Sequence, residues 1–428
     1  MVEYDQQRNE RRRIHMLTLY EHGNLFDGVQ EKLLEEAWFL VDEESGRIVE
    51  RGQGEFEGKC EKRVDLHSHY VMPGLINAHT HITLDPLKMD SGLHNNVIAA
   101  TVLAVKHLKQ GLLSGVTYIR ECGSRFDIDI TLSKLVASGE LEGVPEIMPS
   151  GRAYSMTGGH GDSPNFSFLV DSEDEMRHAI RLGMKNGAQN IKLMASGGVM
   201  SRDDYMTQPQ LSVAEMKVAV EEAHHKGRLV CAHAQGSAGI KNAIEAGVDS
   251  VEHCVYPDDE DIQAMLDKGI FVSPTLSACW GIIGRGGQEI RDYQIEQSKV
   301  VWEDFIVNIN RVWDAGIPIT LSTDAGTPCN GLEETAGELE LMVTKLGRTP
   351  FEALMTNYHS AQLMRIDQDY GTLEAGKIAD FLILKGNPLE DILAVQEKDK
   401  AVYKKGKRVN KEALKSLLRL LGIRSTPA

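Results

Sequence analysis

Between residues 71 and 369 one texture recurs: a short apolar strand, then a longer amphipathic helix, eight times over. The candidate strands are Met72–Ile76, Val116–Ile119, Glu146–Ser150, Asn190–Met194, Leu229–Ala232, Ser250–Glu252, Phe271–Ser273 and Pro318–Ser322. Strands that alternate with helices are the mark of βα units and a parallel sheet. Eight repeats favour an α/β fold closed as a (β/α)₈ TIM barrel over an open sheet. The helix punctuation agrees. Ser212-Val-Ala-Glu215 reads as a capping box opening a helix that runs to about Lys226, where Gly227 stops it. Gly111, Gly187, Gly247, Gly269 and Gly316 likewise precede strands by a few residues, as glycines that end helices do.

Both chain ends differ from this texture. Short alternating runs before Tyr70 (His15–Tyr20, Ala37–Val41, Arg47–Glu50) and after residue 370 (Ala379–Lys385, Ala401–Val409) read as antiparallel strands, with a last helix over Lys411–Leu421. Residues 1–70 and 370–428 are therefore expected to build one composite β-sandwich domain, and residues 71–369 the barrel. The stretch Ser155–Glu175 lacks clear strand signal and follows the third strand, so it is expected to be a loop at the barrel mouth.

A chain of 428 residues that is 42% hydrophobic and 25% charged can bury a large core. Its 63 acidic and 46 basic residues leave a net charge of -17, which disfavours nucleic acid or an anionic membrane surface as partner. Six scattered cysteines, with no Cys-x-x-Cys, indicate neither a disulfide framework nor a thiolate zinc site. Met1–Arg13 is charged and lacks the apolar core of a signal peptide, and no apolar run approaches the roughly 20 residues of a membrane span. A soluble, cytoplasmic protein acting on a small molecule is expected.

The candidate chemistry lies at strand ends. Val71-Met-Pro-Gly-Leu-Ile-Asn-Ala-His79-Thr-His81 closes an apolar run with two histidines that share one face of an extended strand, while Thr80 points away. Two imidazoles so placed can grip one metal ion. Lys192, His233, His253 and Asp324 sit at or near the ends of the fourth, fifth, sixth and eighth strands, where barrel enzymes place active groups. Each would be costly to bury alone.

Together these segments resemble the metal-dependent amidohydrolase superfamily, in the branch of prolidase-like dipeptidases and carboxypeptidases near imidazolonepropionase. The resemblance runs through Pro73–His81, Ile191-Lys192-Leu-Met-Ala-Ser196-Gly-Gly198, Cys231-Ala-His233-Ala, Val251-Glu-His253, Ser322-Thr-Asp324 and Gly371-Thr-Leu-Glu-Ala-Gly376-Lys-Ile-Ala-Asp380, nearly the whole chain. It implies that His79, His81 and Asp324 hold one metal ion and His233 and His253 a second. It also implies that Lys192, carboxylated on Nζ, bridges both. An ammonium between two divalent ions would be repelled, whereas a carbamate formed from the neutral amine and carbon dioxide offers each ion an oxygen. Nitrogen and oxygen donors suit Zn²⁺, with manganese or cobalt as substitutes. A water between two ions would ionise near neutral pH, Asp324 would take its proton and pass it to the leaving amine, and the amide would break without a serine or cysteine nucleophile.

Substrate-facing candidates lie in the loop after the third strand: His160, as oxyanion donor or carboxylate contact, with Arg152, Tyr154 and Asp162 beside it. Gln235 stands two residues past His233, where prolidase-like relatives carry a tyrosine. The expected activity is hydrolysis of a dipeptide or N-acyl amino acid. A cyclic amide hydrolase of the imidazolonepropionase type and a noncatalytic scaffold are the alternatives, and the resemblance implies a homo-oligomer. His67, His69, His94, His107, His178, His224 and His225, and the cysteines Cys231 and Cys254 beside ligands, are assigned no part in the chemistry.

Overall fold

A computed structural model describes residues 16–87, 92–198, 204–285, 290 and 292–414. In chain order its strands are β1 (Leu17–Leu25), β2 (Leu34–Asp42), β3 (Arg47–Gln53), β4 (Lys62–Asp65), β5 (Tyr70–Pro73), β6 (Leu75–Thr80), β7 (Val116–Glu121), β8 (Glu146–Met148) and β9 (Ala153–Ser155). Then follow β10 (Ser167–Leu169), β11 (Asn190–Met194), β12 (Leu229–Ala234), β13 (Ser250–His253), β14 (Phe271–Ser273), β15 (Phe381–Leu384), β16 (Ala401–Lys404) and β17 (Lys407–Arg408).

Strands from both chain ends share one mixed sheet, ordered β17-β16-β15-β5-β1-β2-β3 with β4 also on β1. Hydrogen bonding among the described residues links these strands into a single continuous sheet. Its aromatic core joins the ends: Phe381 meets Tyr20 at 5.2 Å and Phe39 at 5.1 Å, both edge to face.

The expected first strand, Met72–Ile76, is two strands. The Gly74 amide donates to Asp380 O in the composite sheet (3.0 Å), whereas that of Leu75 donates to Gly115 O among the parallel strands (2.9 Å). One peptide unit therefore hands the chain from one sheet to the other.

The parallel strands form a sheet β6-β7-β8 and a sheet β10-β9-β11-β12-β13-β14. Single bonds join them: Gln189 N and Asn190 N both reach Pro149 O after β8, at 2.8 and 3.1 Å. The described ladders do not close into one barrel. The expected eighth strand, Pro318–Ser322, forms no ladder, bridging β14 only at Ile319 with Val272. Its Leu321 amide turns instead to Thr356 O and Ser360 Oγ, both at 3.0 Å, on the helix Pro350–Leu363. The segment still lies beside β6, because Ala78 N donates to Leu321 O (2.8 Å) and Asp324 N to His79 O (2.9 Å). The expected loop after the third strand also carries a strand, β10, paired in parallel with β9.

The helix Val213–His224 carries the capping box of Ser212 and Glu215. Gly187, Gly247 and Gly269 cap helices, but Gly111 lies inside the helix Val97–Ser114, whose left-handed cap is Gly115 at φ 108°. A Cβ at Gly111 would meet Leu332 at 2.6 Å, so packing explains that glycine. Of the expected last helix only Lys411–Leu414 is described; the rest lies outside the described residues. No helix among the described residues is long and apolar enough to cross a membrane.

His107 illustrates a packing histidine. It is buried with Nδ1 on Ile82 O (2.9 Å), and burial pushes its imidazole from 6.5 down to about 4. The folded pKa lies below the unfolded one, so its contribution is present above pH 6.5 and fades as pH falls towards 4, a loss of roughly 3 kcal/mol. Urea unfolding of His107→Gln is expected to show a correspondingly flatter stability profile between pH 6.5 and 4.

Candidate metal centre

His79 lies near the end of β6, and His81 follows that strand. Neighbouring registers set Lys192 opposite Cys231 and Met194 opposite His233, then Ala234 opposite His253. Lys192 therefore starts lower than His233, and its four-carbon stem carries Nζ to 3.3 Å from His79 Nε2. Asp324 comes from the segment between β14 and β6, its Oδ1 3.1 Å from His81 Nε2 and 3.3 Å from His79 Nε2. The rings of His253 and His79 stand 5.2 Å apart, and those of His233 and His253 4.6 Å. His253 and Asp324 hold φ near +70° and +60°, a conformation costly for any side chain, as backbone strain gathered at functional sites is.

Each of the four imidazoles has one nitrogen committed to an acceptor. His81 Nδ1 faces Gly123 O (2.9 Å) and His233 Nε2 faces Gly197 O (3.2 Å). A carbonyl only accepts, so both nitrogens carry hydrogen. His253 Nδ1 donates to Thr275 Oγ1 (2.7 Å), whose own hydrogen goes to Pro274 O (2.6 Å). His79 Nδ1 donates to Glu252 Oε2 (2.6 Å). The opposite nitrogens, His79 Nε2, His81 Nε2, His233 Nδ1 and His253 Nε2, are left with lone pairs. This is how outer partners fix the tautomer of ligating histidines. Burial holds His81, His233 and His253 below the ordinary histidine value, which keeps them in the neutral form that ligates. Burial alone would raise the Asp324 carboxyl, but the imidazoles of His79 and His81 outweigh it and hold the group well below the usual range. His79, His81 and Asp324 bring ligand atoms within 4.8 Å of one another, so the donor set fits a cation. His79, Cys122 and Glu252 also come that close, but Nδ1 of His79 is already bonded to Glu252.

Glu252 and Arg120 were not singled out from the sequence as part of the centre. Arg120 is fully buried, donating to Glu252 Oε1 (2.9 Å), Ser250 Oγ (3.0 Å) and Ala78 O (2.5 Å). Burial would push Glu252 up, yet Arg120 and His79 together hold it well below the carboxylate range. The signal was present: a charged residue inside each of two apolar strands requires a partner.

A cavity of about 300 Å³ opens over the cluster, with His81, Lys192, His233, His253 and Asp324 in its lining. His160, Asp162 and Gln235 line it too. The His160 ring stacks on His233 at 4.1 Å, and its Nδ1 meets Asp204 Oδ2 at 2.6 Å. A Cβ at Gly198 would stand 2.5 Å from His160, so only glycine leaves room for that stack. Arg152 and Tyr154 are not in the lining. Arg152 pairs with Asp127 (3.3 Å) and lies over Phe168, and Tyr154 is buried, stacked on Phe168 with its hydroxyl on Ala179 O (3.4 Å). Tyr154 lies within β9 and Arg152 just before it, and both pack against Phe168 of the neighbouring β10. All six cysteines are free thiols, with Cys122 and Cys231 Sγ 3.9 Å apart. His67 and the helical residues His178 and His224 are exposed.

Parallel strands with an imidazole and carboxylate cluster over their ends define a hydrolase of the amidohydrolase class. The chain belongs to the amidohydrolase family, whose sequence model matches residues 70–409. It is 33% identical over 357 residues to ochratoxinase of Aspergillus niger, covering 76% of this chain and 72% of that protein. The crystal structure of a Xaa-Pro dipeptidase with bound methionine in the active site superposes with a TM-score of 0.83 at 28% identity, covering 92% of this chain and 99% of the other. Imidazolonepropionase from a Geobacillus strain is 21% identical over 361 residues, covering 75% of this chain and 76% of that protein. The chain is thus a hydrolase acting on amide bonds, in the prolidase-like branch of the superfamily.

Proposed function

We propose that the chain is a binuclear metal-dependent hydrolase cutting the amide bond of a dipeptide or N-acyl amino acid at the mouth of a TIM-barrel-like α/β fold. The observation that supports this reading is the tethering of one nitrogen on each of four neighbouring imidazoles, which leaves the other nitrogen of each with a free lone pair. His79, His81 and Asp324 would hold one ion and His233 and His253 the other, with Lys192 between them as the Nζ-carboxylate. When bound, such ions, most readily Zn²⁺, acidify water and polarise a carbonyl.

The rest falls to this chain's side chains. Asp324, anionic between two imidazoles, accepts the proton of the attacking water and returns it to the departing nitrogen. His160, held by Asp204 and by its stack on His233, is placed to donate through Nε2 to oxygen charge building on the former carbonyl. Gln235, in the wall, is placed to contact the substrate.

The reading is tested on the purified full chain by metal analysis together with release of amine from a library of dipeptides and N-acyl amino acids. About two divalent ions per chain are expected, with hydrolysis abolished by a chelator and restored by Zn²⁺. Cleavage confined to ring amides would overturn the substrate assignment, and undiminished activity in a metal-free protein would overturn the mechanism.

A further inference from the structure

We propose that Arg125 is the anion anchor of the cavity, so that the amide cleaved there carries a carboxylate as well as an apolar body; this rests on the hydrolase reading above. Arg125 lines the cavity, follows β7, and is only 6% exposed. Its partners are all neutral: Nη1 donates to Asn95 Oδ1 (3.1 Å) and Pro164 O (2.5 Å), and Nη2 to Ser163 Oγ (3.0 Å). Its Cζ lies 5.7 Å from the centre of the Phe166 ring.

A guanidinium has five N–H donors. Nη1 has spent both of its hydrogens and Nη2 one, while Nε is buried without an acceptor. The unspent donors lie on the Nε and Nη2 edge, the fork that grips a carboxylate with two parallel bonds. Other withdrawn arginines of this chain are neutralised: Arg120 by Glu252, Arg51 by Asp27 and Arg152 by Asp127. Among the described residues Arg125 has no such carboxylate. Burial lowers its pKa, and no charged neighbour offsets the effect.

The backbone is strained to hold it there. Phe126 and Asp127 take φ of 58° and 56°, while the Arg125 amide is pinned to Thr83 Oγ1 at 3.0 Å. An unpaired buried charge on a strained turn costs stability, and an arriving anion offsets that cost. Phe166 stands between Arg125 and the cluster, 5.7 Å from the His81 ring. The seat is thus one aromatic ring away from the metal ligands. Beyond it Met194, Val255, Ile282, Val301 and Phe305 supply an apolar wall. Acid at one end and hydrocarbon along the wall describe an amide of an apolar or aromatic amino acid.

The test uses the zinc-loaded full chain and two probes that carry no amide, 4-phenylbutanoate and 4-phenyl-1-butanol, titrated by calorimetry. The acid is expected to bind roughly tenfold to a hundredfold tighter than the alcohol, the range of a charged hydrogen bond. Arg125→Gln is expected to remove that preference while leaving affinity for the alcohol unchanged. Arg125→Lys, which keeps charge but loses the fork, is expected to fall between them. A folded Arg125→Gln that still prefers the acid, or a wild type with no preference, overturns the anchor. Should Arg125→Gln not fold, an Arg125→Lys indistinguishable from wild type does the same. Since neither probe is cleavable, failure to release amine from the peptide library would sink the hydrolase reading and leave the anchor standing.

Discussion

Replacing Asp324 with Asn is expected to lower kcat/KM for amide hydrolysis by about 10²–10⁴-fold with little change in KM, the range of a positioned acid–base group. The side chain sits 3.1 Å from His81 Nε2 and 3.3 Å from His79 Nε2, so the two functions proposed for it, ligand and proton carrier, would share one carboxylate. Asparagine keeps the shape and the backbone bond from Asp324 N to His79 O, so the thermal midpoint should move little. It cannot hold a negative charge or carry the proton. Steady-state kinetics with metal content measured on the same samples checks the claim. Full activity in Asp324→Asn would show that another group handles the proton.

Replacing Lys192 with Met is expected to move stability and activity in opposite directions. Lys192 is 1% exposed, and its amine stands 3.3 Å from His79 Nε2. Removing a withdrawn amine for an apolar chain of similar length should stabilise the metal-free protein by about 1 kcal/mol or more. The same change removes the amine proposed to form the bridging carbamate, so activity should fall about 10³-fold or more and at least one of the proposed ions should be lost. Metal stoichiometry, kcat/KM and urea unfolding of the chelated protein read out the two effects separately. A Lys192→Met that keeps both ions and its activity would end the bridging role. This opposition is the trade seen where a site retains a group that the fold alone would discard.

The residues legible in the sequence were those whose chemistry is expensive at the place they occupy. His79, His81, Lys192, His233, His253 and Asp324 punctuate apolar runs, and the structure gathers them into one cluster. Their supports were harder to read. Glu252 and Arg120 meet across 132 positions of chain, and no local pattern says which distant charge will neutralise which. Arg125 was missed for a related reason: an arginine in a loop is ordinarily solvated, and only the packing of Phe166 and Pro164 around it reveals the cost. Arg152 and Tyr154 stand outside the cavity lining, packed against Phe168 where β9 pairs with β10, a pairing that no local pattern announces. The eighth strand was legible as an apolar run, but its bonding to the helix Pro350–Leu363 depends on hydroxyls at Ser360 and elsewhere that strand propensity ignores.

The order of strands in the mixed sheet bears on how the protein is made. On one side β5 pairs with β1, close in the chain; on the other it pairs with β15, which begins at Phe381. During translation at about 5–20 residues per second, the outer edge of β5 waits some 15–60 s for its neighbour. Until then a row of unmatched amides is open to strands of other nascent chains. The parallel units are synthesised in that interval, so slow elongation and crowded polysomes would lengthen the exposure of that edge.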